Sequence, residues 1–261
     1  MAIEEVMGLD GSPPTAEPTS QREPAFGAII SAMRPRVASV ELYWLPLGAG
    51  GWFVRLNGRI WEALHARWQR RRPLDLYHTA LVVRVPEGRF VVENCWPVPD
   101  PDGRSRGVLV GGPVASRRLG RWRLFRYEVR CWPDGIIADA DEAVASPQLL
   151  SDDPVVARRL LELVGSLPSP VWGRDELGTG EMWNSNSVIA WLLARSGLPT
   201  DAIRPPAGGR APGWQAGLAV AHRSPATPNS PYPTANRTEG HNAYTAALEA
   251  GRPPAPTARP G

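Results

Sequence analysis

Eleven tryptophans lie between Trp44 and Trp214, and none falls in the first 43 or the last 47 of 261 residues. Large aromatics dominate core energetics, and segments unable to build a core are poor in them. The tryptophans therefore mark where a folded body can form. The flanking stretches 1–25 and 224–261, rich in Pro, Ser and Thr, read as disordered tails, leaving 26–223 as one α+β domain. That length is ample for a single core.

Within the body, hydrophobic patterning predicts both element types. VASVELYWLPLG (38–48) is β-branched and aromatic and reads as a strand. Phe53, Leu56, Ile60, Leu64 and Trp68 recur at helical spacing, predicting a helix over about 52–70 that ends in a solvated arginine run. TALVVRV (79–85) and RFVVENCW (89–96) flank ProGluGly and predict a β-hairpin. GVLVGG (107–112) and RWRLFRYEVRCW (121–132) read as further strands. Helices follow at 155–165, opened by SerAspAspPro, and at 185–197, where Ser185, Asn186 and Ser187 are N-cap candidates and Gly197 the stop. Trp214, after the Gly/Pro-rich stretch 206–213, is expected to dock back on the core.

Composition removes several chemistries. All 29 basic residues are arginine, which excludes Schiff-base lysines and the Walker phosphate lysine and fits a high-GC bacterial genome. The two cysteines, Cys95 and Cys131, cannot form a four-cysteine zinc site, and no two of the four histidines share metal-binding helical spacing. No metal or organic cofactor is expected. The start has no secretory signal pattern and no apolar run is long enough to span a membrane, so a soluble, cytoplasmic protein is expected. A net charge of +3 argues against nucleic acid, and the arginines at 117–130 read as a solvated sheet face.

Two constellations could carry chemistry. His78 opens a strand directly after a loop. TrpAsnSerAsnSerVal (183–188) opens a helix, where Ser185 would feel the positive end of the dipole and first-turn amides could bind an oxyanion. A histidine opening a strand, a hairpin, and much later an Asn-Cys-Asn-Ser-Phe stretch opening a helix is the layout of the circularly permuted papain-like hydrolases, among them the PPPDE isopeptidases, the lecithin:retinol acyltransferase-like proteins and NlpC-type relatives. Residues 77–83 resemble that superfamily's histidine strand, and Asn184, Ser185, Asn186, Ser187 and Val188 resemble its nucleophile signature, with Ser185 where the cysteine stands.

The resemblance implies a permuted papain-like fold with a small antiparallel sheet packed on helices. It implies hydrolysis or transfer at an amide, peptide or ester carbonyl of a small-molecule, peptide or acyl substrate. Ser185 would attack and His78 would take its proton. Asn184, Asn186, Ser187 and Trp183 would supply oxyanion and substrate contacts. A hairpin with a Glu87–Gly88 loop pairs Val85 with Phe90 and puts His78, Glu93 and Cys95 on one face; a loop one residue longer brings Asn94 instead. Glu93 or Asn94 would then orient the imidazole. Cys95 is a rival nucleophile without a helix dipole to activate it. Serine is a far weaker nucleophile than cysteine at neutral pH, so a catalytically inactive domain acting as a binding module is the alternative.

Overall fold

Alternating apolar residues along the strands put one row of side chains on each face of a sheet, and both rows are buried. The computed structural model describes residues 37–48, 60, 62–97 and 107–223. The expected tails and the first part of the 52–70 helix lie outside them. Six antiparallel strands run in the order β4-β5-β3-β2-β1-β6: β1 Ser39–Pro46, β2 Asp75–Val85, β3 Gly88–Cys95, β4 Val108–Pro113, β5 Arg126–Pro133 and β6 Gln148–Ser151. A two-residue β7, Gly209–Arg210, pairs parallel with the start of β2. The helices are α1, described over 62–68, α2 (Pro154–Val164), α3 (Ser185–Arg195) and α4 (Trp214–His222). The fold class is α+β.

The main core lies on one face. Val40, Leu42 and Trp44 of β1, Leu81 and Val83 of β2, Val92 of β3 and Val129 of β5 meet Leu160, Leu161, Ile189 and Leu192 from α2 and α3. Each such side chain contributes roughly 1.5–3 kcal/mol by leaving water. The opposite face carries a smaller cluster, Leu45, Ala80, Val82 and Val91, covered by Ile137, Ala140 and Ala143 of the segment after β5. Helices α2, α3 and α4 are thus on one side of the sheet and an irregular segment is on the other.

Three expectations are corrected. The hairpin turn is Pro86–Glu87, so Val85 pairs with Gly88 instead of Phe90. This slip of two residues leaves every side chain on its expected face. Residues 119–125 are not strand: two 3-10 turns, closed by the amides of Trp122 and Phe125 on the carbonyls of Leu119 and Trp122, precede β5. The arginine row is likewise not uniformly solvated, because Arg130 is buried among β3 and β5 side chains. Trp214 does dock on the core, its ring 5.4 Å from that of Trp44, and it opens α4, an element absent from the sequence-based reading.

α3 and α4 pack closely at Gly217, where a Cβ would lie 2.2 Å from the Ser187 carbonyl oxygen and 2.9 Å from Ala190 Cβ. Because the nearest atom is backbone, it cannot swing away. Gly217→Val should therefore cost about 1–3 kcal/mol, read as a lowered denaturation midpoint. An unchanged midpoint would mean that the two helices do not meet this way.

Candidate functional site

The N-terminus of α3 is fixed by its own side chains. Asn184, not the three residues after it, is the N-cap: its Oδ1 accepts the amides of Asn186 and Ser187, and its Nδ2 donates to the Pro212 carbonyl. The Ser187 hydroxyl accepts from the Asn184 amide and donates to the Gly213 carbonyl at 2.7 Å. These reciprocal bonds form a capping box. Gly213 has φ +85°, and a Cβ there would lie 2.5 Å from Asn184 Oδ1, so both the backbone conformation and the space call for glycine.

Asn186 joins this helix end to the strand that carries His78. Its Nδ2 donates to the carbonyls of Tyr77 and Pro212, each at 2.9 Å, and its Oδ1 accepts from Thr79 Oγ1 at 3.0 Å. The reason lies in the strand pattern. The Leu76 carbonyl turns towards β1, where it accepts the Leu47 amide, so the Tyr77 carbonyl turns the other way. On that side the β2–β3 ladder extends from Val85 back to Leu81. The helix end closes the gap where the two strands part, and Asn186 grips β2 on both sides of His78.

His78 alternates with Thr79 and shares the face of Ala80 and Val82. Its Nε2 lies 3.1 Å from Asp139 Oδ2, with the side chains 26% and 16% exposed. The hydrogen bond from His78 holds the Asp139 carboxyl below its usual range against the opposing effect of burial. An ionised carboxylate only accepts, so Nε2 carries the proton in this bond, and in the neutral ring that leaves Nδ1 as the acceptor. Asp139, which sequence reasoning did not single out, thus occupies the orienting position expected for Glu93 or Asn94. A Pro-Asp-Gly turn signal at 133–135 announces a reversal after β5; it does not announce which later acid returns to the histidine.

Glu93 does share the face of His78, together with Cys95, Glu128 and Arg130. Burial pushes the Glu93 carboxyl up, opposed by Arg130. Asn94 faces the opposite way, and among the described residues neither of its buried amide atoms finds a partner. Burial pushes the Cys95 thiol up to about 12, with Glu93 and Glu128 adding to the rise and Arg130 opposing it, so Cys95 is a poor nucleophile at neutral pH. Arg130 donates to Glu128 Oε2 at 3.1 Å and to the Trp96 carbonyl at 3.3 Å. Among the described residues, no group of three or more His, Cys, Asp and Glu side chains could hold a metal ion.

Ser185 is the first residue of α3 and 8% exposed. Among the described residues its hydroxyl and amide take part in no hydrogen bond, and His78 bonds to Asp139 and not to it. The oxyanion expectation narrows in the same way. The amides of Asn186 and Ser187 are engaged by the cap, leaving that of Ser185. The side chains of Asn184, Asn186 and Ser187 are tied to backbone carbonyls, and Trp183 is a core residue, 1% exposed. A cleft of about 450 Å³ bounded by Ser116, Arg117, Arg174, Asp175 and Glu176 contains none of these groups.

Comparison with family models, with curated proteins and with solved structures finds no match to this chain.

Two measurements check this geometry. Cys95 in the folded protein should alkylate at neutral pH at least tenfold more slowly than in denaturant; equal rates by mass spectrometry would contradict its placement. The lowered pKa of Asp139 means that its bond to His78 stabilises the fold above the ordinary aspartate range and stops doing so as pH falls through the lowered value. The stability gap between wild type and Asp139→Asn should therefore close on acidification. A gap that persists to low pH would contradict the pairing.

Proposed function

We propose that the chain is a hydrolase or acyltransferase of circularly permuted papain-like type, acting on an amide, peptide or ester carbonyl with Ser185 as nucleophile. The observation that carries this reading is the His78–Asp139 hydrogen bond on the strand that Asn186 fastens to the Ser185-bearing helix end. Ser185 Oγ attacks the carbonyl carbon and its proton passes to His78 Nδ1. The same proton then leaves with the departing amine or alcohol, and water, or an acceptor alcohol or amine, resolves the acyl-enzyme by the reverse route. Asp139 holds the ring in the tautomer that can accept at Nδ1 and stabilises the imidazolium that forms. The Ser185 amide, with the positive end of α3 behind it, faces the developing oxyanion.

A second reading, a papain-like domain that binds without catalysing, is favoured by the lack of a Ser185–His78 hydrogen bond. Catalytic contacts are often long before substrate binds, so chemistry decides between the two. A fluorophosphonate should label Ser185 in the wild type, and Ser185→Ala and His78→Ala should abolish labelling. Asp139→Asn should slow it by about 10²-fold or more. No label on folded wild-type protein, together with a Ser185→Cys thiol no more reactive than a free cysteine, would discard the hydrolase and leave the binding domain.

A further inference from the structure

Helix α1 is amphipathic and is mounted with its apolar stripe outwards. Ile60, Leu64 and Trp68 recur every four residues and are 50%, 65% and 79% exposed. Glu62 and Ala66, each about 200° round the helix from the apolar residue two positions before it, are the buried ones. Glu62 anchors the helix: it is ion-paired with Arg71 and accepts the Leu74 amide at 2.9 Å, with Arg210 Nη1 3.6 Å away. Burial alone would push its carboxyl up, but the bonds from Arg71 and Leu74 outweigh that and lower it.

Solvent thus meets two kinds of group here. One is the aliphatic and indole stripe. The other is a set of exposed arginines, Arg67, Arg70 and Arg72, of which Arg67 lies beside the stripe and the others just past its end. The one acidic residue between Ile60 and Leu74 is Glu62, which is turned inwards.

We propose that α1 docks this protein on the surface of an anionic lipid bilayer. The charge pattern selects the partner: the exposed guanidiniums of Arg67, Arg70 and Arg72, which form no ion pair among the described residues, attract acidic headgroups, while the stripe supplies the side chains that enter the acyl boundary. Trp68 stands at the arginine end of the stripe, the place an indole takes between hydrocarbon and headgroups. Docking does not depend on Ser185 or His78, so it stands or falls apart from the catalytic reading.

The test is cosedimentation of the full-length protein with phosphatidylcholine vesicles, with or without roughly one part in three of phosphatidylglycerol. Binding should require the anionic lipid and weaken as salt is added. Leu64→Ser with Trp68→Ser should reduce it roughly tenfold or more. Replacing Arg67, Arg70 and Arg72 by Gln should reduce it about fivefold per residue and flatten the salt response. These side chains are exposed, so far-UV circular dichroism and the melting midpoint should not move. No sedimentation with anionic vesicles, or undiminished binding by the Ser double variant, overturns the proposal. So does a dimer in sedimentation velocity that Leu64→Ser dissolves, since the stripe would then be covered by a second copy.

Discussion

The Asn186 amide is the constraint on which the arrangement of strand, helix and loop depends. It is 2% exposed, and a buried amide without partners is costly. Here its oxygen takes the Thr79 hydroxyl, while its nitrogen serves two carbonyls that no ladder or helix engages, at Tyr77 and Pro212. One side chain thereby ties its own helix end to two other stretches of chain, β2 and the loop at Pro212, at the point where β2 and β3 diverge. Aspartate could not donate to the two carbonyls, and glutamine would need the helix end to retreat. The neighbours Asn184 and Ser187 repeat the principle towards Pro212 and Gly213, so the helix start is held by bonds internal to the fold. Ser185 alone among the four polar residues is left outside this network.

What the sequence made legible follows range of interaction. The strands at 38–48 and 79–96 and the helices at 155–165 and 185–197 announce themselves through local periodicity and caps, and all appear within a few residues of the expected bounds. The face shared by His78 and Glu93 was also readable, because a slip of two residues preserves alternation. The Asp139 contact was not: it spans 61 residues and depends on an irregular segment folding back over the sheet, which no periodicity encodes. β6 is four residues without a pattern, fixed by pairing with β1. Residues 121–125 carry aromatic and basic side chains that suit an edge strand, but the chain coils there until Arg126 can meet Pro113.

The two faces of the sheet differ in chemistry as well as in cover. The helix-covered face is almost wholly apolar. The other carries His78, Glu93, Cys95, Glu128, Arg130 and Asp139 around a cluster of a few small apolar residues. Buried charges persist only when paired or hydrogen-bonded, and Arg130 and Glu128 meet that requirement in each other. Among the described residues Glu93 forms no ion pair, and burial pushes its carboxyl up with Arg130 and His78 opposing. A titratable group so placed sits beside the histidine whose tautomer Asp139 sets, so the electrostatics of that face are coupled to the ring through space.

Helix α1 shows why periodicity locates an element without orienting it. A stripe at Ile60, Leu64 and Trp68 would ordinarily be assigned to the core. Its opposite side offers something stronger in this setting: a carboxylate with a guanidinium and a backbone amide in reach. The Glu62 site also fastens α1 to the entry of β2, because Arg71 and Leu74 lie in the connection between them and Arg210 belongs to the β7 strand paired with β2. Rolling the helix to bury its stripe would leave Arg71 without its carboxylate and the Leu74 amide without an acceptor. It would also put Ala66, which packs closely inside, out in water. An inward-facing carboxylate therefore fixes the roll of the helix, and the outward direction of Leu64 and Trp68 follows from it.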